Sequence, residues 1–199
     1  MIGVLKGAFL FLADLVRQVT VAGLKIDFLQ ASSYGADTVS SEKIVLKKDI
    51  DVDIRGKDVI VFDDEIATGG SIVALSDILR REGVRKIINI SSNGAYNFDV
   101  FDPPHYRASK AALDTLTKDL ARRYAREKIS VNSIAPAMTE TPLFKVVSEE
   151  VLQAALAQMP HGRAMRPEEV AAWVGFLASP AGDVSSGNVI ILNQGRDVR

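Results

Sequence analysis

The sequence predicts an α/β fold in which helices pack against a largely parallel sheet. Short apolar segments of strand length alternate along the chain with longer segments of helical character. Residues 59–62 are apolar and mostly β-branched, which is typical of a strand buried on both faces. With 199 residues and 47% hydrophobic content, the chain is ample for one core and short for two. We therefore expect residues 1–199 to form one domain.

The first part of the chain predicts three strands and one helix. Residues 2–5 are a short apolar strand, and a helix that is apolar over much of its circumference follows at 9–16. Residues 24–30 are a second strand, and residues 32–35 turn the chain. Residues 44–46 are a weaker strand in a polar stretch, which we expect to lie antiparallel at an edge of the sheet.

An acidic, glycine-rich segment follows the strand at 59–62. It contains Asp63, Asp64, Ala67, Thr68, Gly69, Gly70 and Ser71. Consecutive backbone N–H groups and the N-terminus of a helix starting near Ser71 would hold a phosphate without a side-chain cation. The two aspartates would then hold the hydroxyls of a ribose. The alternative is a structural corner with solvated acids, and the spacing alone does not separate the two interpretations.

The same alternation continues to the end of the chain. Apolar residues between 72 and 79 recur at helical spacing, and Gly83 ends that helix. Residues 86–92 are the next buried strand, and one apolar stripe predicts a long helix over 106–126. Residues 131–134 and 188–192 supply two further strands. Between them, Ser148 and Pro167 begin helices with glutamates in their first turns.

Composition and charge exclude several classes of protein. The 24 basic and 25 acidic residues give a net charge of −1, so we expect neither nucleic-acid nor membrane binding. No stretch approaches the roughly 20 apolar residues of a membrane span. The chain has no cysteine and we expect it to be soluble and cytoplasmic. His105 and His161 have no partner at metal-ligand spacing, so no metal site is expected.

Several stretches before residue 84 match a known family. They are Ile2-Gly-Val-Leu-Lys-Gly-Ala-Phe-Leu-Phe-Leu-Ala-Asp-Leu15, Ile26-Asp-Phe-Leu-Gln30, Ser32-Ser-Tyr-Gly35 and Asp51-Val-Asp-Ile-Arg-Gly-Lys-Asp58. They resemble the hypoxanthine type of the type I phosphoribosyltransferases, and the loop at 63–71 looks most like that of ribose-phosphate pyrophosphokinases. The resemblance implies that Lys6 and Gly7 belong to a pyrophosphate loop and that residues 63–71 bind ribose phosphate.

From residue 84 the resemblance changes. The matching stretches are Asn89-Ile-Ser-Ser92, Tyr106-Arg-Ala-Ser-Lys110, Val131-Asn-Ser-Ile-Ala-Pro136, Arg166-Pro-Glu-Glu169 and Phe176-Leu-Ala-Ser179. They resemble the second half of a short-chain dehydrogenase/reductase, which implies a catalytic Ser92, Tyr106 and Lys110. Tyr106 and Lys110 are four residues apart on one helix face, where the ammonium would favour the tyrosinate. Ser92 would orient the carbonyl of a substrate.

The two resemblances meet near residues 83–89 without a linker, which predicts a chimera of residues 1–83 and 84–199. Both families imply the same strand order, 3-2-1-4-5-6-7 across the join, with one antiparallel edge strand. We therefore expect a three-layer α/β/α Rossmann-like sandwich. Natural fusions append whole domains, so a splice within one domain indicates an engineered chimera, with natural recombination as the lesser alternative.

Each enzyme needs parts from both of its own halves, and neither set is complete. Residues 5–7 replace the glycine-rich dinucleotide loop of the reductase, the purine-binding parts are missing, and Ala67 replaces an Asp of the hypoxanthine type. We expect a scaffold with a vestigial catalytic trio that binds phosphate, sulfate or ribose 5-phosphate weakly. No cofactor is expected, although NAD(P) or Mg²⁺ stays open.

Two alternatives to this scaffold remain open. They are an NAD(P)-dependent short-chain reductase and a phosphoribosyltransferase-like module that binds ribose phosphate. The sequence leaves monomer and homodimer equally open.

Overall fold

The structure, a computed structural model, describes residues 1–4, 12–13, 16–17, 22–33, 44–55, 57, 59, 61–62, 70–97 and 102–197. The strands within these residues are β1 (Ile2–Val4), β2 (Asp27–Ser33), β3 (Ile44–Lys48), β4 (Val61–Phe62), β5 (Lys86–Ile90), β6 (Ser130–Pro136) and β7 (Val189–Leu192). The α-helices are α1 (Gly70–Arg81), α2 (Pro104–Tyr124), α3 (Glu149–Leu156) and α4 (Pro167–Ala178). Leu12, Ala13, Val16 and Arg17 are also helical.

Strands of the first part pair in the order β3-β2-β1-β4, and those of the second part pair in the order β5-β6-β7. β1 runs parallel to both β2 and β4, and β6 runs parallel to both β5 and β7. β3 pairs antiparallel with β2 and forms the outer edge of its sheet. The α/β class and the antiparallel strand beside β2 are confirmed.

The two sets of strands meet at β4 and β5, as the predicted strand order 3-2-1-4-5-6-7 requires. The described residues form a four-stranded and a three-stranded sheet, with β4 and β5 in contact but without a ladder between them. Arg85 nevertheless donates its N–H to the Lys57 carbonyl (3.4 Å) and accepts from the Ser130 N–H (2.9 Å).

Helices cover both faces of these sheets, because successive strand residues point in opposite directions. One hydrophobic cluster joins strand residues to α1 and α2, and a second joins strand residues to α4. The first includes Ile2, Leu29, Leu79, Val84, Ile87, Leu113, Leu120, Tyr124 and Val131. The second includes Leu12, Ile88, Ile134, Met165, Val170, Val174 and Leu177. Each cluster therefore contains side chains from both parts of the chain.

Several element boundaries differ from the predicted ones. The second strand begins at Asp27 and continues through Ser33, so the predicted turn at 32–35 is wrong for its first two residues. Ser148 occupies the N-cap position of α3, but its side chain makes no capping hydrogen bond. Two aromatic side chains of α4, Trp173 and Phe176, are 42% and 47% exposed, and their ring centroids lie 6.1 Å apart. Both lie on the solvent side of α4, away from the buried Val170 and Leu177.

None of the described helices is long and apolar enough to cross a membrane.

Candidate active site

The carboxyl end of β5 positions the first residue of the candidate site. After the strand ends at Ile90, the chain passes through Ser91 and Ser92 into a short 3-10 turn (Asn93–Ala95). Ser92 is the N-cap of this turn, and its hydroxyl oxygen accepts the Gly94 N–H at 3.0 Å. This bond fixes the Ser92 side chain in a site where only 9% of the residue is exposed.

The first two turns of α2 carry the other two residues. Pro104 begins the helix, as expected for a residue with a preset φ and no N–H, and Tyr106 and Lys110 follow at four-residue spacing. The Lys110 Nζ lies 5.7 Å from the centre of the Tyr106 ring and donates a hydrogen bond to the Ile90 carbonyl at 3.1 Å. The structure thus brings Ser92, Tyr106 and Lys110 together beside the end of β5.

The pKa of the Tyr106 hydroxyl is shifted in the direction opposite to the expected one. Burial raises the pKa of its hydroxyl above the ordinary value, a hydrogen bond with Ser92 opposes this, and the charge of Asp102 adds to it. The Lys110 ammonium was expected to favour the tyrosinate, but it is directed to a backbone carbonyl and does not outweigh burial. In this arrangement Tyr106 is a protonated phenol, which can donate a proton to a carbonyl oxygen.

Sequence reasoning missed two features next to this trio. Asp102 lies so close to Gly94 that a Cβ there would collide with its carboxylate, and this approach accounts for the glycine. Behind the trio, the buried Asp114 accepts from the Ser133 hydroxyl at 2.7 Å. Burial raises the pKa of Tyr96, and its hydrogen bond to Asp114 raises it further. These polar residues are far apart in the sequence, and no spacing motif links them.

Most of the predicted phosphate-binding residues lie outside the described part of the chain. They are Lys6, Gly7, Asp63, Asp64, Ala67, Thr68 and Gly69. The flanking elements are described: β4 ends at Phe62, and α1 begins at Gly70 with Ser71 as its second residue. The strand and the helix predicted on the two sides of this segment are therefore confirmed.

The residues present do not fit a nicotinamide dinucleotide. β1 and β4 are adjacent, so the segments that follow them start at the same edge of the sheet. Residues 5–7, which follow β1 in the sequence, contain one glycine, whereas the loop that holds the pyrophosphate of a dinucleotide needs several. In the described part of the chain, no cluster of three His, Asp or Glu side chains could hold a metal ion.

Two family matches overlap along the chain. Residues 67–197, about two thirds of the sequence, match the family described as enoyl-(acyl carrier protein) reductase. The chain belongs to this family. Residues 1–94 match the phosphoribosyl transferase domain. The predicted junction at 83–89 lies inside the overlap, residues 67–94, so the chain combines a reductase segment with a phosphoribosyltransferase segment.

Individual relatives divide in the same way. Hypoxanthine phosphoribosyltransferase of Escherichia coli K12 is 42% identical over 79 residues, which cover 40% of this chain and 44% of that protein. The 2,3-dihydroxy-2,3-dihydro-p-cumate dehydrogenase of Pseudomonas putida F1 is 38% identical over 128 residues, covering 63% of this chain and 49% of that protein. The chain thus spans less than half of the length of either relative.

Solved structures agree with the reductase match. The crystal structure of a 3-oxoacyl-[acyl-carrier protein] reductase from Brucella melitensis superposes with a TM-score of 0.57 at 30% identity. The superposition covers 63% of this chain and 47% of that one. The Rossmann-like fold is therefore confirmed over the reductase part of the chain.

Proposed function

We propose that this chain is a recombined α/β scaffold of engineered origin without a complete active site. The supporting observation is the change of family within the fold: the reductase match begins at residue 67, and a phosphoribosyl transferase match covers residues 1–94. The segments that follow β1 and β4 therefore have phosphoribosyltransferase character, whereas Ser92, Tyr106 and Lys110 come from the reductase part. Proton-transfer residues without a bound hydride donor lose the positioning on which most of the rate depends.

The expected absence of reductase activity is tested by measuring the oxidation of NADH and NADPH in the presence of a panel of ketones and a 3-oxoacyl thioester. We expect no oxidation of either cofactor above the rate of Tyr106→Phe, because the phenol has no adjacent hydride donor to work with. Tyr96→Phe is the control, since it removes a partly buried phenol that bonds Asp114 and keeps all three residues of the trio. Turnover that persists in Tyr96→Phe and disappears in Tyr106→Phe would overturn the proposal.

That outcome would instead support a short-chain reductase, the second candidate function. The observation in its favour is the assembly of the trio: Tyr106 bonds Ser92, and Lys110 lies one helical turn away with its Nζ 5.7 Å from the ring. The same assay therefore decides between the two functions.

Weak binding of phosphate or ribose 5-phosphate by residues 63–71 is the remaining part of the proposal. It is supported by the resemblance of this segment to phosphoribosyltransferases and by the start of α1 at Gly70, which directs a helix N-terminus toward the loop. Because residues 63–71 are contiguous, this site does not need residues from the part of a phosphoribosyltransferase that the chain lacks. Affinity should be about millimolar, or about −4 kcal/mol, because a few hydrogen bonds in an open site must offset the lost freedom of the ligand.

Amide chemical shifts measured during a titration with ribose 5-phosphate test this part. Residues 67–72 should move in a saturable manner, and free ribose at the same concentrations should leave them unchanged. Gly69→Pro removes one backbone donor and should abolish the response. The hypothesis fails if those amides do not move, or if Gly69→Pro responds like the parent chain.

A further inference from the structure

A basic groove lies at the edge of the sheet opposite the catalytic trio. It encloses about 820 Å³ near the amino ends of β5 and β6, between these strands and the end of α2. Its charged lining residues are Arg85, Lys86, Lys118, Arg122, Lys128 and Asp183. Five cations and one carboxylate thus meet in one groove of a chain whose net charge is −1.

The single carboxylate of the groove already forms an ion pair. Asp183 pairs with the Lys86 Nζ at 2.7 Å, and Lys86 is held deeper by the Ala178 and Ser179 carbonyls. Lys86 is buried, with 5% of its surface exposed, so this pair forms part of the floor of the groove. Because Asp183 neutralises Lys86, no carboxylate among the lining residues is left to pair with Lys118, Arg122 or Lys128.

Three of the remaining cations have no ion-pair partner among the described residues. They are Lys118 and Arg122, one helical turn apart on α2, and Lys128, which follows the helix in a left-handed conformation at φ 60°. All three are exposed at the rim. Ser186 adds a further donor, because its oxygen accepts the Val131 N–H and its own O–H stays available.

We propose that this groove binds a compact polyanion carrying three or more negative charges, of the tripolyphosphate class. A monovalent anion gains little from exposed cations in water, whereas several charges on one small ligand engage several cations at once. A volume of about 820 Å³ is within the range of small-molecule sites. The proposal is independent of the function proposed for the chain, since none of the residues that line the groove belongs to the trio or to residues 63–71.

Calorimetric titration with sodium tripolyphosphate at low salt tests the proposal. We expect saturable one-to-one binding in the range of about 10–500 μM that weakens at least tenfold when the salt rises from about 0.02 to 0.3 M. The double variant Lys118→Glu/Arg122→Glu should weaken binding at least tenfold. Both side chains are exposed, and Lys118→Gln/Arg122→Gln provides a milder pair if the first variant does not fold.

Arg126→Glu is the matched control. Arg126 is exposed and close in sequence but does not line the groove, so its reversal should change affinity by less than threefold. Equal losses in the control and the double variant would show that net charge, rather than the groove, governs binding and would overturn the proposal. Absence of saturation with tripolyphosphate, or tight binding of duplex DNA alone, would overturn it as well.

Discussion

Asp27, the first residue of β2, should make the stability of this fold sensitive to acid. Its Oδ2 accepts the N–H groups of Asp51 (2.6 Å) and Val52 (3.0 Å), and its Oδ1 accepts from the Phe28 N–H (2.7 Å) and the Lys48 Nζ (3.1 Å). Burial alone would raise the pKa of this carboxyl, but these hydrogen bonds to the charged form lower it from 3.8 to about 2.

The free energy at stake follows from the size of this shift. A lowering of nearly two pKa units corresponds to about 2.5 kcal/mol of stabilisation, which partial solvent screening reduces to about 1–2 kcal/mol. Because the pKa is lower in the folded state, the contribution is present above about pH 4 and is lost as the pH falls toward 2. Asp27→Asn removes the charge at every pH.

Urea unfolding of the parent chain and Asp27→Asn at pH 6 and pH 2 measures this contribution. We expect the variant to be less stable by about 1–2 kcal/mol at pH 6 and the difference to shrink toward zero near pH 2. Glu169 also has a pKa lowered to about 2, by its hydrogen bonds to Arg163 and the Arg166 N–H. Both chains keep Glu169, so its contribution cancels when their free energies of unfolding are compared. If the difference in free energy of unfolding between the two chains were the same at pH 6 and pH 2, the reasoning would be refuted.

Three further substitutions test the packing around α4, each by chemical denaturation against the parent chain. Lys86→Met should cost about 2–3 kcal/mol, because it leaves the last carbonyls of the helix and Asp183 without their cation; an unchanged midpoint would contradict this. Gly175→Ala should stabilise by about 0.5–1 kcal/mol, since the added Cβ meets nothing within 4 Å and glycine is a poor helix former; a loss of stability would count against it. Gly182→Ala should cost about 1–3 kcal/mol because its Cβ would collide with the Leu177 carbonyl, and a neutral result would refute that contact.

Strong periodic patterns carried most of the fold prediction. The apolar stripe at 106–126 became α2 (Pro104–Tyr124), and Gly83 ends α1 with φ 77°, a left-handed conformation that favours glycine. The start of β2 was predicted at residue 24, but the strand begins at Asp27, a buried carboxylate that accepts from Lys48 and Asp51, more than twenty residues away, as well as from Phe28. Sequence windows detect apolar periodicity, and they do not detect a polar residue satisfied from a distance.

The site was predictable only where a motif links its residues. Tyr106 and Lys110 share one helix, and their proximity to Ser92 was expected from the resemblance alone. The direction of the Tyr106 pKa shift required the structure, because burial outweighs the effects of its neighbours. The sequence did not predict the basic groove either, because its cations come from separate segments and the charge of the whole chain is nearly balanced.

The mixed composition of both hydrophobic clusters has a consequence for how the chain folds during synthesis. Ile2, Leu29 and Leu79 emerge from the ribosome before the side chains that bury them, such as Leu113 and Val131, have been made. Early apolar segments must therefore stay exposed to chaperones, or to each other, for roughly 50–130 further residues, which takes several seconds or more at about 5–20 residues per second. Because both clusters need side chains from both parts of the chain, the first part cannot bury its apolar residues until the second part has been synthesised. The nascent chain is therefore prone to aggregation during this interval.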